Sequence, residues 1–178
     1  LHAVGGRTAW FIDWNTQSVK TTFSLPADGT SVVVVDEKPH VLMPEMQAIA
    51  SIDHQEMGEH STAVILPLPA GVLADEQSTL SMLPGGRLFL LTDGNVQPMR
   101  ITPNGLESVQ LPVPRNGQWA NVTRTGDKTL GLIDQANQIE VYEVRQDGFV
   151  RVFEHAFDSM QVNDNFLPSR TRVTIGAD

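Results

Sequence analysis

Phe89-Leu90-Leu91-Thr92-Asp93 is a short, mostly apolar run closed by an aspartate, and the form recurs. Trp10-Phe11-Ile12-Asp13, Ile49-Ala50-Ser51-Ile52-Asp53 and Gly131-Leu132-Ile133-Asp134 repeat it, with the four aspartates 40, 40 and 41 residues apart. Spacing this regular marks a repeated supersecondary unit. Working outward, each aspartate is followed by an alternating segment and a Gly-bearing turn: Ala27-Asp28-Gly29, Pro69-Ala70-Gly71, Pro103-Asn104-Gly105 and Gln146-Asp147-Gly148. Glycine reaches the positive φ that tight hairpins between twisted strands require. Gly6, Gly86 and Gly126 also precede the first, third and fourth aspartates by 7, 7 and 8 residues, and the second unit lacks this glycine.

Between these markers the apolar residues alternate. Ile139-Glu140-Val141-Tyr142-Glu143-Val144 has the period of two expected of a half-buried strand, and Pro98 within Val96–Ile101 marks an edge or bulged strand. Each unit therefore reads as three or four short antiparallel strands joined by hairpins. The expected units are 6–45, 46–85, 86–125 and 126–160, followed by a tail, 161–178, whose strand-like Arg170–Ile175 segment suits a missing outer strand of the first unit. The whole chain, 1–178, is expected to be one domain.

This pattern resembles that of β-propellers, whose blades are four-stranded sheets of about 40 to 50 residues. The resemblance implies an all-β fold of propeller-like antiparallel sheets, either closing as a four-bladed ring or forming part of a larger one completed by self-association. It points to no subfamily, since neither the Gly-His to Trp-Asp pairing of WD40 repeats nor a recurring kelch double glycine is present. A competing signal lies in Met43–Asp53, where Met46, Ile49 and Ile52 fall three apart behind Pro44 and Glu45, as in the first turns of a helix. A helix there would make the fold an α+β sandwich; the repeat phase outweighs it.

Composition narrows the function. The 178 residues carry 12 basic and 21 acidic side chains for a net charge of −9, with no cysteine. Disulfides, thiolate metal sites and cysteine nucleophiles are excluded. A phosphate-backbone footprint needs clustered Lys and Arg, so nucleic acid is not an expected partner. No apolar run approaches the roughly 20 residues of a membrane-spanning helix. The chain opens on Leu1 with no basic stretch ahead of a hydrophobic one, and is expected to be part of a longer chain.

Candidate chemistry is sparse. His54-Gln55-Glu56-Met57-Gly58-Glu59-His60, with His40, Met43 and Met46 upstream, is the densest polar cluster, and imidazole with carboxylate suits zinc or copper. His54, Glu56, Glu59 and His60 are the candidate metal ligands. A six-residue separation of the histidines is no established ligand spacing, so a solvated loop is the preferred reading. The repeated Asp13, Asp53, Asp93 and Asp134 are read as turn-forming residues, because an aspartate at a strand end accepts hydrogen bonds from turn N–H groups. No G-x-S-x-G, S-x-x-K, H-E-x-x-H or P-loop motif occurs, so no catalytic residue and no cofactor is assigned. Trp119, near Arg115, reads as a core residue before a binding hot spot.

The expected function is a non-catalytic module that binds a protein or small molecule. It is similar to extracytoplasmic segments inserted in permease subunits of phosphate-type ABC transporters, which implies a periplasmic domain of a larger membrane or transport protein. The alternatives are a propeller enzyme of glycoside hydrolase or lactonase type, with acidic residues converging at one end of the ring, and a metal-binding protein using His40, His54 and His60.

Overall fold

Period-two alternation, β-branched residues and frequent turn formers produce strands almost throughout. The computed structural model describes residues 2–13, 15–53, 63–83, 85–115, 117–125, 128–135 and 138–156. Four antiparallel sheets form, each a meander with its strands side by side in chain order. The first contains β1 (His2–Gly5), β2 (Thr8–Asp13) and β3 (Ser18–Ser24); the second β4 (Ser31–Val35), β5 (Lys38–Met43), β6 (Ala48–Ile52) and β7 (Ala63–Pro67). The third contains β8 (Thr79–Leu83), β9 (Arg87–Thr92), β10 (Asn95–Thr102) and β11 (Gly105–Ser108). The fourth contains β12 (Gln118–Thr125), β13 (Lys128–Gln135), β14 (Gln138–Val144) and β15 (Phe149–Ala156). The fold is all-β and propeller-like. Two compact units divide after Gln110, the first holding three sheets and the second the fourth.

Alternation decides how the first unit packs. In the second sheet Val41, Met43, Ala48, Ala50 and Ile52 face one way, into a core shared with Ala9, Phe11 and Leu25 of the first sheet and the chain that leaves it. Leu42 and Ile49 face the other way, against Leu80, Leu88, Leu90 and Met99 of the third sheet. The second sheet is thus apolar on both faces because it is covered on both. The first strands of these three sheets are neighbours, β4 beside both β1 and β8.

The competing helix over Met43–Asp53, and with it the α+β sandwich, does not form. Pro44–Met46 makes a single 3-10 turn, stopped by Gln47 in the left-handed region (φ 49, ψ 48), and β6 follows at once. Ile49 and Ile52 are both fully buried, but in different cores on opposite faces of the strand. Two-sided burial removed the polar half of the strand pattern and left a spacing that imitates a helix. The side chain of Gln47 spans the kink, with Nε2 donating to the Pro44 carbonyl at 2.6 Å and the Ala74 carbonyl at 2.7 Å, while Oε1 accepts from the Ala74 N–H at 2.9 Å.

The repeat is real, but its phase differs from the spacing of the aspartates. The sheets span 2–24, 31–67, 79–108 and 118–156, so the second straddles the boundary expected at 45/46. Asp13, Asp93 and Asp134 mark second strands, whereas Asp53 follows β6, a third strand. The matching hairpin in that sheet is the β4–β5 turn, which uses Asp36 (φ 48) and Glu37 (φ 65) instead of glycine. Two consecutive positive φ values are those of a type I′ turn, and this is why the second unit lacks its upstream glycine. Of the four downstream glycine turns, Asn104-Gly105 and Asp147-Gly148 close hairpins, while Asp28-Gly29 and Ala70-Gly71 lie in connections between sheets.

In the second unit Trp119 is buried and packs its ring against Tyr142 (6.2 Å between centroids) and Phe149 (5.4 Å). Its indole lies directly over Gly131, where a Cβ would collide with the ring. Trp119 is therefore a core residue, as its composition suggested.

Candidate functional site

A groove of about 700 Å³ opens between the second and third sheets of the first unit. Strand register produces it. Across β5 and β6, Leu42 lies opposite Ile49 and His40 opposite Ser51, on the face turned to the third sheet. The next row outward is Lys38 and Asp53, joined by a 2.7 Å ion pair with side chains 49% and 37% exposed. These three rows run from fully buried and apolar, through polar, to charged and wet. The groove begins where the shared core ends.

His40 and Ser51 line the groove on one side, with Val64 and Leu66 of β7 beside them. Across it lie the β8–β9 turn at Gly85-Gly86 and the end of β10 at Ile101, Thr102 and Pro103. Arg87 and Arg100 also border it, but they pair across β9 and β10 in the row next to Leu88–Met99. Alternation puts their side chains on the face away from the Leu88–Met99 core. Arg100 spends its guanidinium on Glu107, with Nε at 3.1 Å and Nη2 at 2.8 Å from one carboxylate oxygen. The lining of the groove is mixed: Val35, Val64, Leu66 and Ile101 are apolar, and His40, Ser51 and Lys38 form a polar row along one side.

His40 is only 3% exposed. Its Nδ1 lies 2.8 Å from the Lys38 carbonyl oxygen. A carbonyl only accepts, so Nδ1 carries the proton, and in the neutral ring Nε2 is a bare acceptor. Ser51 Oγ stands 3.1 Å from that Nε2 and donates to it. Burial holds the imidazole below its ordinary pKa, outweighing the Lys38 carbonyl and the Asp36 charge, which favour protonation. The ring is therefore neutral at pH 7.

The second unit holds a different polar cluster. On one face of β14, Gln138, Glu140 and Tyr142 follow at every second residue, and Glu140 is 2% exposed. Its carboxylate accepts from Tyr142 Oη at 2.7 Å, Arg151 Nη1 at 3.0 Å and Gln138 Nε2 at 3.1 Å. Arg151 also pairs with Glu154 at 2.8 Å, and the hydrogen bond to Glu140 leads the causes that raise its pKa. A buried carboxylate with three donors is a satisfied structural network. Of the two faces of this alternating strand, the structure buries the one with Glu140, Tyr142 and Val144, because donors meet the carboxylate there.

The residues singled out in the sequence are scattered. Asp13 caps its own turn, accepting from the Asn15 N–H at 3.0 Å, and pairs with Lys20 at 3.2 Å, the leading cause of its lowered pKa. Asp53 pairs with Lys38. Asp93 (φ 45) and Gly94 (φ 68) make the β9–β10 turn. Each of these three serves its own turn or strand end. His54, Glu56, Glu59 and His60 lie outside the described residues, and both ring nitrogens of His40 are already engaged. Among the described residues no three His, Asp or Glu side chains gather to hold a metal ion. Ser51 was missed because its neighbour is eleven residues away in sequence and meets it only through strand pairing.

No protein-family model matches the sequence, and no curated protein matches it by sequence. Solved structures do match in shape. Hydrazine synthase of Kuenenia stuttgartiensis is 13% identical at a TM-score of 0.55, over 85% of this chain and 43% of that one. A putative 6-phosphogluconolactonase from Bacteroides uniformis is 14% identical at 0.55, over 95% and 60%. Virginiamycin B lyase of Staphylococcus aureus is 11% identical at 0.53, over 89% and 55%. The chain thus spans less than two thirds of the length of these structures. At such identities the likeness is one of fold alone, a propeller-like arrangement of antiparallel sheets.

Proposed function

We propose that the chain is a ligand-binding, propeller-like module that takes a small molecule in the groove between its second and third sheets. One observation carries this reading: a groove of about 700 Å³ with Val64, Leu66 and Ile101 on its walls and a polar row of His40, Ser51 and Lys38 along one side. Pockets of about 300–1,000 Å³ are the usual size for small ligands. The ligand rests an apolar part on Val64, which is 61% exposed, and offers hydrogen-bonding groups to the polar row.

A small-molecule fragment screen followed by amide chemical shifts tests it. Binding fragments should move the amides of Ser51, Val64, Ile101 and Thr102, and the response should vanish in Val64→Asp, an exposed position whose change spares the core. Shifts that cluster elsewhere, or survive in that variant, sink the proposal. On the sequence resemblance alone we further propose that the module is the extracytoplasmic part of a larger membrane transport protein. The complete gene tests this, a flanking stretch of about 20 apolar residues being the expected finding and its absence the contrary one.

A further inference from the structure

Binding alone makes no use of one arrangement in the groove. Ser51 Oγ donates to the Nε2 of His40 at 3.1 Å, and His40 is in turn oriented through Nδ1 by the Lys38 carbonyl at 2.8 Å. Nucleophile, base and orienting group stand in hydrogen-bonded sequence, the general signature of an activated hydroxyl. The three come from adjacent strands of a rigid sheet, and both side chains line the groove.

We propose that Ser51 is a nucleophile and His40 its general base, and that the groove cleaves a small ester with an apolar acyl group. The Ser51 Oγ–H proton passes to His40 Nε2 while Oγ forms a bond to the ester carbonyl carbon. The resulting tetrahedral adduct breaks its C–O bond to the alcohol, which leaves with the proton from His40. A water molecule then attacks the acyl-serine, giving one proton to His40. The acid departs, and Ser51 Oγ recovers its proton from Nε2. Each cycle consumes one ester and one water and yields one acid and one alcohol.

The acyl group has an apolar surface to lie on in Val64 and Leu66, which flank Ser51 on β7. An ester fits better than an amide for a physical reason. A backbone carbonyl fixes the tautomer of His40 as the carboxylate of a triad does, but brings no full negative charge to stabilise the imidazolium that forms. The poorer leaving group of an amide makes the larger demand on that imidazolium. Burial works in the same direction: it keeps the ring neutral, as a base must be, but disfavours the imidazolium, which restricts the pair to the less demanding leaving group.

The test uses an alkyl fluorophosphonate, in which the serine oxygen displaces fluoride from phosphorus and the serine proton goes to the base. Intact-protein mass and peptide mapping should show one adduct on Ser51, absent from Ser51→Ala. The labelling rate should fall as pH drops through a value below the ordinary imidazole pKa, and should fall at least tenfold in His40→Gln. Circular dichroism accompanies that variant because the side chain is buried, and the pH profile of the wild-type protein stands as the independent readout. Hydrolysis of 4-nitrophenyl butyrate should follow the same profile. No adduct at Ser51 overturns the proposal, as does labelling that stays flat with pH down to the acid limit of the folded protein. Failure here is separable from failure of the binding reading: fragments that shift Val64 and Ile101 in an unlabelled protein retain the groove and remove the nucleophile. An adduct on Ser51 with no fragment bound at Val64 does the reverse.

Discussion

Gln47 carries more of the first unit than its place in a three-residue kink suggests. It sits in a left-handed conformation that costs a non-glycine residue free energy, and its amide ties the β5–β6 connection to the chain leaving β7 through both polar groups of Ala74. Replacing it with alanine leaves a backbone N–H and a carbonyl to find other partners, a loss of about 2–3 kcal/mol by the cost of unpaired polar groups. Urea unfolding of Gln47→Ala should show the midpoint fall; an unchanged midpoint means that solvent satisfies Ala74. His40 makes a second prediction. Its pKa in the folded protein lies below the value of about 6.5 expected when unfolded, so the unfolded chain binds the proton more readily. Its contribution to stability is complete above pH 6.5 and is lost as pH falls through the folded value. Unfolding free energy measured downward from roughly pH 8 to about 5.5 should decline, and His40→Gln should lose part of that slope. A slope identical in the variant places the titration elsewhere.

Strands here are set by local pattern, but their turns need not use the obvious residues. The β4–β5 hairpin holds Asp36 and Glu37 at φ values of 48 and 65, a conformation better suited to Asn-Gly. The double change Asp36→Asn, Glu37→Gly should stabilise the protein by about 1 kcal/mol, read as a rise in thermal midpoint. A fall would show that the Asp36 carboxylate, which borders the groove, contributes more to the fold than the strain removes. The pairing of β5 with β6 illustrates the same scale from the functional side. Register alone brings His40 to Ser51 and Lys38 to Asp53, and a one-residue slip would turn both pairs to the opposite face.

The described residues form two compact units and four antiparallel meanders, and the circular dichroism of the protein should be that of strands without helical minima. A helical spectrum would contradict the strand reading of Ala48–Ile52 together with the fold. At this scale the sequence was most legible. Its repeat, its hairpin glycines and its alternation came from physics local to each strand: pleat period, turn chirality and the need to cover apolar faces. Those features determined an all-β, propeller-like chain of about four sheets, an acidic molecule of net charge −9 and the absence of cysteine chemistry. What only the tertiary structure decided was which strands share a row and which face meets another sheet. Ile49 and Ile52 went to different cores, Glu140 was buried among donors contributed by β14 and β15, and Ser51 met His40 across a strand pair. Such juxtapositions depend on register and on the partner packed against each face, and no periodicity along a single chain encodes either.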